Sequence, residues 1–220
     1  MRARIYRICI VILLTIAAIS GYMAYTEHKP FQEASIKHEA VIKTAVIQQN
    51  ETDLLDREID FAALKQINKD IVGWLYIPQI GIDEPILKGQ TDEEYLTRSF
   101  DGSYSVLGSV FTYSHTNENL SDPHICLFGH NMISGQVFGK LHELQNPELT
   151  KQSLYVYTPQ KSKELHIESV FSCEYDNEVF QDDWKIDDSQ TFTLATCVGY
   201  EHTPYRLAVN CKVIKEKIKL

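Results

Sequence analysis

The chain has 220 residues, of which 44% are hydrophobic and 23% charged, enough apolar material for one ordinary domain with an appendage. Its net charge is −9, and because residues 1–26 hold Arg2, Arg4 and Arg7 but no acid, the remainder is more acidic still. That balance excludes a nucleic-acid-binding face, which needs clustered Lys and Arg, and only weakly favours a cationic partner such as an amine.

Residues 1–7 form a basic N-terminus. Residues 8–26 are uncharged and mostly apolar, and at 1.5 Å rise per residue a helix of that length nearly spans a hydrocarbon core of about 30 Å. A cleaved signal peptide is the alternative. No small-x-small cleavage site follows the apolar run, since Gly21 leads into Tyr22, Met23 and Tyr25, so the segment is read as an uncleaved anchor. The arginines then stay in the cytoplasm, and everything after residue 26 lies outside a single-pass cell membrane. Residues 27–58 read as an extracellular stalk, partly helical, because Ile36, Val41, Ile42 and Val46 space an apolar stripe through 33–49.

The folded domain is expected over 59–220. Asp60 is placed to cap a short helix with apolar positions Phe61, Leu64 and Ile67. From residue 71 the texture becomes β. IVGWLYIP, IDEPIL, GSVFTY, HICLFGH, SLYVYT, KELHIESVF, TFTLATC and YRLAVNCKVI are short runs rich in branched and aromatic residues, mostly separated by turn formers. Eight such runs predict a mainly β fold, an antiparallel barrel or sandwich. GQVFGKLHELQ at 135–145 is the one helix predicted inside this block.

The five cysteines, at 9, 126, 173, 197 and 211, are odd in number, lack a CxxC pair and do not match zinc-ligand spacing, so no metal or other cofactor is expected. Cys126, Cys173 and Cys211 lie in apolar runs and are expected to be buried and inert. TLATC at 193–197, FGHNM at 128–132 and Arg206 at the start of the last run stand apart. They offer Cys197 as a thiol nucleophile, His130 as a proton carrier and Arg206 as a fixed charge. A thiol attacks a carbonyl as thiolate, an imidazole gives a proton to a departing amine, and a guanidinium donates to a developing oxyanion. The three compose into acyl transfer through a thioester. Other histidines, including His115, His124, His142 and His202, are read as ordinary surface or core residues.

TLATC followed by a downstream arginine and preceded by GHN resembles the signature of sortases, the membrane-anchored cysteine transpeptidases of Gram-positive bacteria. Class B members are the most similar: DIVGWLYIP at 70–78, IDEPIL at 82–87, Tyr95 with Leu96, GSVF at 108–111, FGHNM, GQVFGKL at 135–141 and TLATC through Arg206 all fit their pattern. The resemblance covers roughly 59–214. It implies an eight-stranded sortase-type β-barrel with short helices, preceded by the transmembrane helix and helical stalk. It implies Cys197 as nucleophile, His130 as general acid/base, and Arg206 as the residue steadying the acyl intermediate or the peptide. Thr196 matches a position that helps form the oxyanion pocket, Leu96 a groove residue touching the peptide, and Asp92 a groove position where class B enzymes often have Asn. The implied reaction cleaves a C-terminal sorting motif of secreted proteins between Thr and Gly. The acyl group then passes to an amine, of a peptidoglycan precursor in cell-wall anchoring or of a pilin lysine in polymerisation. The chain departs from class B in the segment 173–190, too short for the long helical insertion usual there; Phe180, Trp184 and Ile186 are candidates to pack in the peptide pocket or the core. The rival readings are a hydrolytic cysteine peptidase and a non-catalytic surface-binding module. Against the first, papain-type enzymes place Cys before His and on a helix.

Overall fold

A computed structural model describes residues 2–48, 53–199 and 203–219. His202, read above as ordinary, lies outside the described residues. One continuous helix, α1 (Arg2–Ala45), carries both the apolar N-terminus and the stalk, with Pro30 inside it. It is long and apolar enough to cross a membrane, and Ile10 to Leu14, Ile16 and Ile19 are all exposed rather than packed on the domain.

The stalk is not a free spacer. The far end of α1 belongs to the domain's core, with Val41 and Ala45 buried at 3% and 1% exposure. After α1, β1 (Val46–Gln48) pairs antiparallel with β2 (Glu58–Ile59), a small sheet not foreseen from the sequence. The next helix, α2 (Phe61–Ile67), forms as its sequence predicts. The Asp60 carboxylate accepts the Ala63 N–H at 2.8 Å, and Phe61 and Leu64 are buried.

Eight strands close into a barrel: β3 (Ile71–Ile77), β4 (Ile82–Lys88), β5 (Val110–Thr112), β6 (His124–Phe128), β7 (Leu154–Tyr157), β8 (Lys161–Glu174), β9 (Thr191–Cys197) and β10 (Tyr205–Ile218). Their order around the barrel is β10-β8-β7-β3-β4-β5-β6-β9. Closure removes every sheet edge and fills the interior with side chains such as Leu75, Ile86, Val110, Leu127, Phe138, Leu194 and Leu207. Alternation lets β3 serve two layers, and a register shift between Ile71 and Gly73 turns Val72 to the same face as Leu75 and Ile77. Val72, Leu75 and Ile77 face the interior, while Ile71 and Trp74 face the outer layer made with Val41, Phe61 and Leu64.

The expectation of an antiparallel sheet is corrected in two places. β4 pairs parallel with β5, and β6 pairs parallel with β9. Parallel neighbours need a long crossover, and the chain supplies these over 89–109 and 129–190. The helix predicted at 135–145 is corrected as well. Only Leu141–Gln145 is helical, as a 3-10 turn. Gly135 and Val137 both adopt positive φ, +81° and +55°, which a right-handed helix does not tolerate.

Candidate active site

The parallel register of β6 on β9 decides where the chemistry gathers. His124 pairs with Thr191 and Phe128 with Ala195, so both strands end on the same rim of the barrel. His130 follows the end of β6, and Cys197 is the last residue of β9. The antiparallel β10 starts at that rim, which sets Arg206 directly opposite Cys197 across the β9–β10 ladder. Thr196 locks the rim: its buried hydroxyl donates to the Gly129 carbonyl at 2.8 Å, and the Gly129 N–H donates to the Ala195 carbonyl at 3.2 Å.

A cleft of about 520 Å³ opens on this rim, and Cys197, His130 and Arg206 all line it. Phe111, Tyr113 and Phe128 form an aromatic wall, with the Tyr113 and Phe128 rings edge-to-face at 4.9 Å and those of Phe111 and Phe128 5.7 Å apart. Leu96, Asp92 and Thr196, named from the sequence, also line the cleft. Burial pushes the Tyr113 phenol up from its ordinary pKa. The Asp92 carboxylate accepts the Ser114 N–H at 2.7 Å, and that bond draws its pKa below the usual range. Asp92 therefore fastens the wall as well as facing the cleft.

The imidazole of His130 is oriented by a backbone group. Its Nε2 lies 2.7 Å from the Leu96 carbonyl oxygen, which can only accept, so Nε2 carries a hydrogen. In the neutral ring Nδ1 is then the basic nitrogen. Gly108 makes this contact sterically feasible. It has φ +61°, and a Cβ there would stand 2.6 Å from the Leu96 oxygen and 2.9 Å from His130 Cδ2. The Arg206 guanidinium donates through Nη1 to the Thr203 carbonyl at 2.7 Å and the Tyr205 carbonyl at 3.1 Å. It has no carboxylate partner among the described residues.

Two residues given no role in the sequence reading tie the chain around Cys197 to the segment that follows His130. His142 donates from Nε2 to the Cys197 carbonyl at 3.0 Å, and Asn131 donates from Nδ2 to the Gly199 carbonyl at 2.9 Å. His142 was set aside as an ordinary histidine; nothing in its sequence context shows which carbonyl it meets. His124 fits its ordinary reading. Its ring nitrogens contact the Gln181 carbonyl and the Thr193 hydroxyl, and burial lowers its pKa. His115 pairs with Asp182 at 2.9 Å in the open.

The remaining cysteines divide. Cys126 and Cys211 are buried as expected, and burial pushes the Cys126 thiol up to about 12 and Cys211 upward too. Cys173 is only half-buried, a correction to its expected burial, because it lies at the exposed end of β8 opposite Arg206. Burial raises its pKa, and the Arg206 charge partly opposes that. The short segment 173–190 contributes one 3-10 turn, Glu178–Phe180. Val179 and Phe180 are buried against Cys126, Ala195 and Ala208, with Trp184 beside them, and neither Phe180, Trp184 nor Ile186 lines the cleft. Among the described residues no group of three or more His, Cys, Asp or Glu side chains is arranged to hold a metal ion.

Comparison with known proteins gives one consistent result. A family model described as the sortase domain matches residues 75–214. Sortase B of Staphylococcus aureus is 28% identical over 184 residues, covering 70% of this chain and 75% of that protein. The crystal structure of Clostridium perfringens sortase B superposes with a TM-score of 0.60 at 25% identity, over 70% of this chain and 99% of that one. A Staphylococcus aureus sortase B–substrate complex superposes at 0.62 with 20% identity, over 86% of this chain and 94% of that one.

Proposed function

Since the chain belongs to the sortase family, with a class B-like sequence and barrel, we propose that it is a cysteine transpeptidase that cleaves a sorting motif near the C-terminus of secreted proteins and anchors them to the cell wall. The observation that carries this reading is the convergence of Cys197, His130 and Arg206 on one rim and one cleft.

In the proposed reaction the Cys197 thiol gives its proton to His130 Nδ1, and the thiolate attacks the carbonyl carbon of the Thr–Gly bond. The carbonyl oxygen takes up negative charge, and the Arg206 guanidinium donates to it. As the C–N bond breaks, His130 delivers its Nδ1 proton to the glycine amine, which leaves neutral. The acyl group remains on Sγ as a thioester. An incoming amine attacks that carbonyl, His130 takes the amine's proton, and the thiolate departs as an amide forms. Leu96 serves twice, with its side chain on the peptide groove and its carbonyl on the imidazole. Thr196 supports the oxyanion region by fixing the end of β9, and Asp92 borders the groove. The acceptor amine belongs to a peptidoglycan precursor. The aromatic wall suits the apolar part of a sorting peptide bound in extended form.

The apolar half of α1 supports a membrane anchor with the basic N-terminus in the cytoplasm and residues 59–220 as the extracellular catalytic domain. The experiment is an incubation of the full chain, in detergent, with a set of sorting-type peptides and an added amine. Amide product is expected from the wild type, and none above background from Cys197→Ala. Full turnover by Cys197→Ala would overturn the proposal.

A further inference from the structure

We propose that Glu84 is a positioning residue for His130, and that the stalk helix holds Glu84 in place through His38. The inference rests on His130 being the acid/base of the proposed reaction and adds a structural partner to it.

Glu84 lies on β4 and is 4% exposed. One oxygen, Oε1, meets two donors: the Val137 N–H at 3.1 Å and His38 Nε2 at 2.9 Å. Val137 is a β-branched residue at φ +55°, a strained conformation that persists only where its surroundings enforce it. The buried carboxylate is that enforcement, because Val137 has no right-handed turn to receive its N–H. Val137 forms a bridge with Asn131, and the Phe138 N–H donates to the His130 carbonyl at 3.1 Å. The loop 130–138 is thus closed at its neck, with the imidazole at one side and the Glu84 contact at the other.

The stalk reaches the same loop a second time. Gln136 donates from Nε2 to the Ser35 hydroxyl at 2.7 Å, one turn of α1 before His38. Further along, Val41 and Ala45 fix α1 in the outer core. A buried carboxylate without a cation is unfavourable, so the helix supplies what Glu84 needs in order to hold Val137. The charged groups acting on His38 are Glu84 and Asp83 of β4 and Glu39 of its own helix. Asp83 is itself committed to Arg57 and to the Trp74 indole. Burial pushes the pKa of His38 down, but the charge and hydrogen bond of Glu84, with Glu39 and Asp83, outweigh it, and the net direction is upward. A raised folded pKa means the pair is fully formed below the ordinary histidine value and is lost as pH rises through the folded one. The hold on the loop therefore weakens on the alkaline side.

The test uses the full chain in detergent micelles and two readouts: hydrogen exchange of 130–138 across pH, and kcat and KM with a sorting peptide. Glu84→Ala and His38→Ala are expected to speed exchange at 130–138 on the order of tenfold and to lower kcat by a similar factor with KM little changed. His38→Gln keeps a donor without a titratable charge. It is expected to restore part of the protection and to abolish the extra alkaline loosening seen in the wild type. If Glu84→Ala does not fold, the two His38 variants decide alone. Exchange at 130–138 unchanged in the folded variants, or loosening with pH that persists in His38→Gln, would overturn the proposal. Exchange does not depend on turnover, so a wild type inactive on every peptide would sink the transpeptidase reading while leaving this contact tested.

Discussion

Gly108 sets the tolerance of the site at the scale of one atom. A methyl there would press on the Leu96 carbonyl and on the His130 ring at once, from a backbone at φ +61°. Gly108→Ala is expected to destabilise the fold by about 1–3 kcal/mol and to lower kcat about tenfold or more, because the carbonyl–imidazole bond must lengthen. Thermal melts and steady-state kinetics separate the two effects. A folded variant with wild-type kcat would mean that Leu96 does not orient the imidazole. Cys197, His130 and Arg206, which line one cleft, were legible as candidates in the sequence because each has a reactive or charged side chain in a recognisable motif. Gly108, Asn131 and His142 were not, because they act on backbone carbonyls whose neighbours only the fold decides. Cys173 was misjudged for a related reason: an apolar run shows a strand, not which end of it emerges into solvent.

At the scale of elements, each of the eight apolar runs corresponds to a barrel strand, since branched and aromatic residues bounded by turn formers have few other uses. Pair direction was hidden. A short run does not tell whether the chain returns by a hairpin or crosses over, and the parallel β6–β9 pair that unites the site comes from the crossover 129–190. The segment 135–145 misled because Val137, Phe138, Leu141 and Leu144 are all buried at spacings that suit a helix, while the positive φ at Gly135 and Val137 breaks it. The stalk was legible as a helix but not as part of the core. A fragment beginning at residue 53 exposes the face of Trp74, Phe61 and Leu64 that Val41 and Ala45 cover. Relative to a fragment beginning at residue 27, it is expected to lose roughly 2–4 kcal/mol, from the apolar burial of Val41 and its neighbours. Urea unfolding of the two fragments measures this, and coincident midpoints would contradict the packing role of the stalk.

At the scale of the molecule, barrel closure turns distant sequence positions into one rim, and the rim determines the chemistry. The helix that is long and apolar enough to cross a membrane is the same helix that contacts the loop after His130, through Ser35 and Gln136. The most direct test of this account is to trap the acyl-enzyme of the full chain with a sorting peptide, without acceptor amine, and to map the adduct by peptide mass spectrometry. The expected result is a single hydroxylamine-labile acyl group on Cys197, with Cys126, Cys173 and Cys211 unmodified. An adduct on Cys173, or none on Cys197 with every peptide tried, would contradict the claim that these three strand ends build a thioester-forming site.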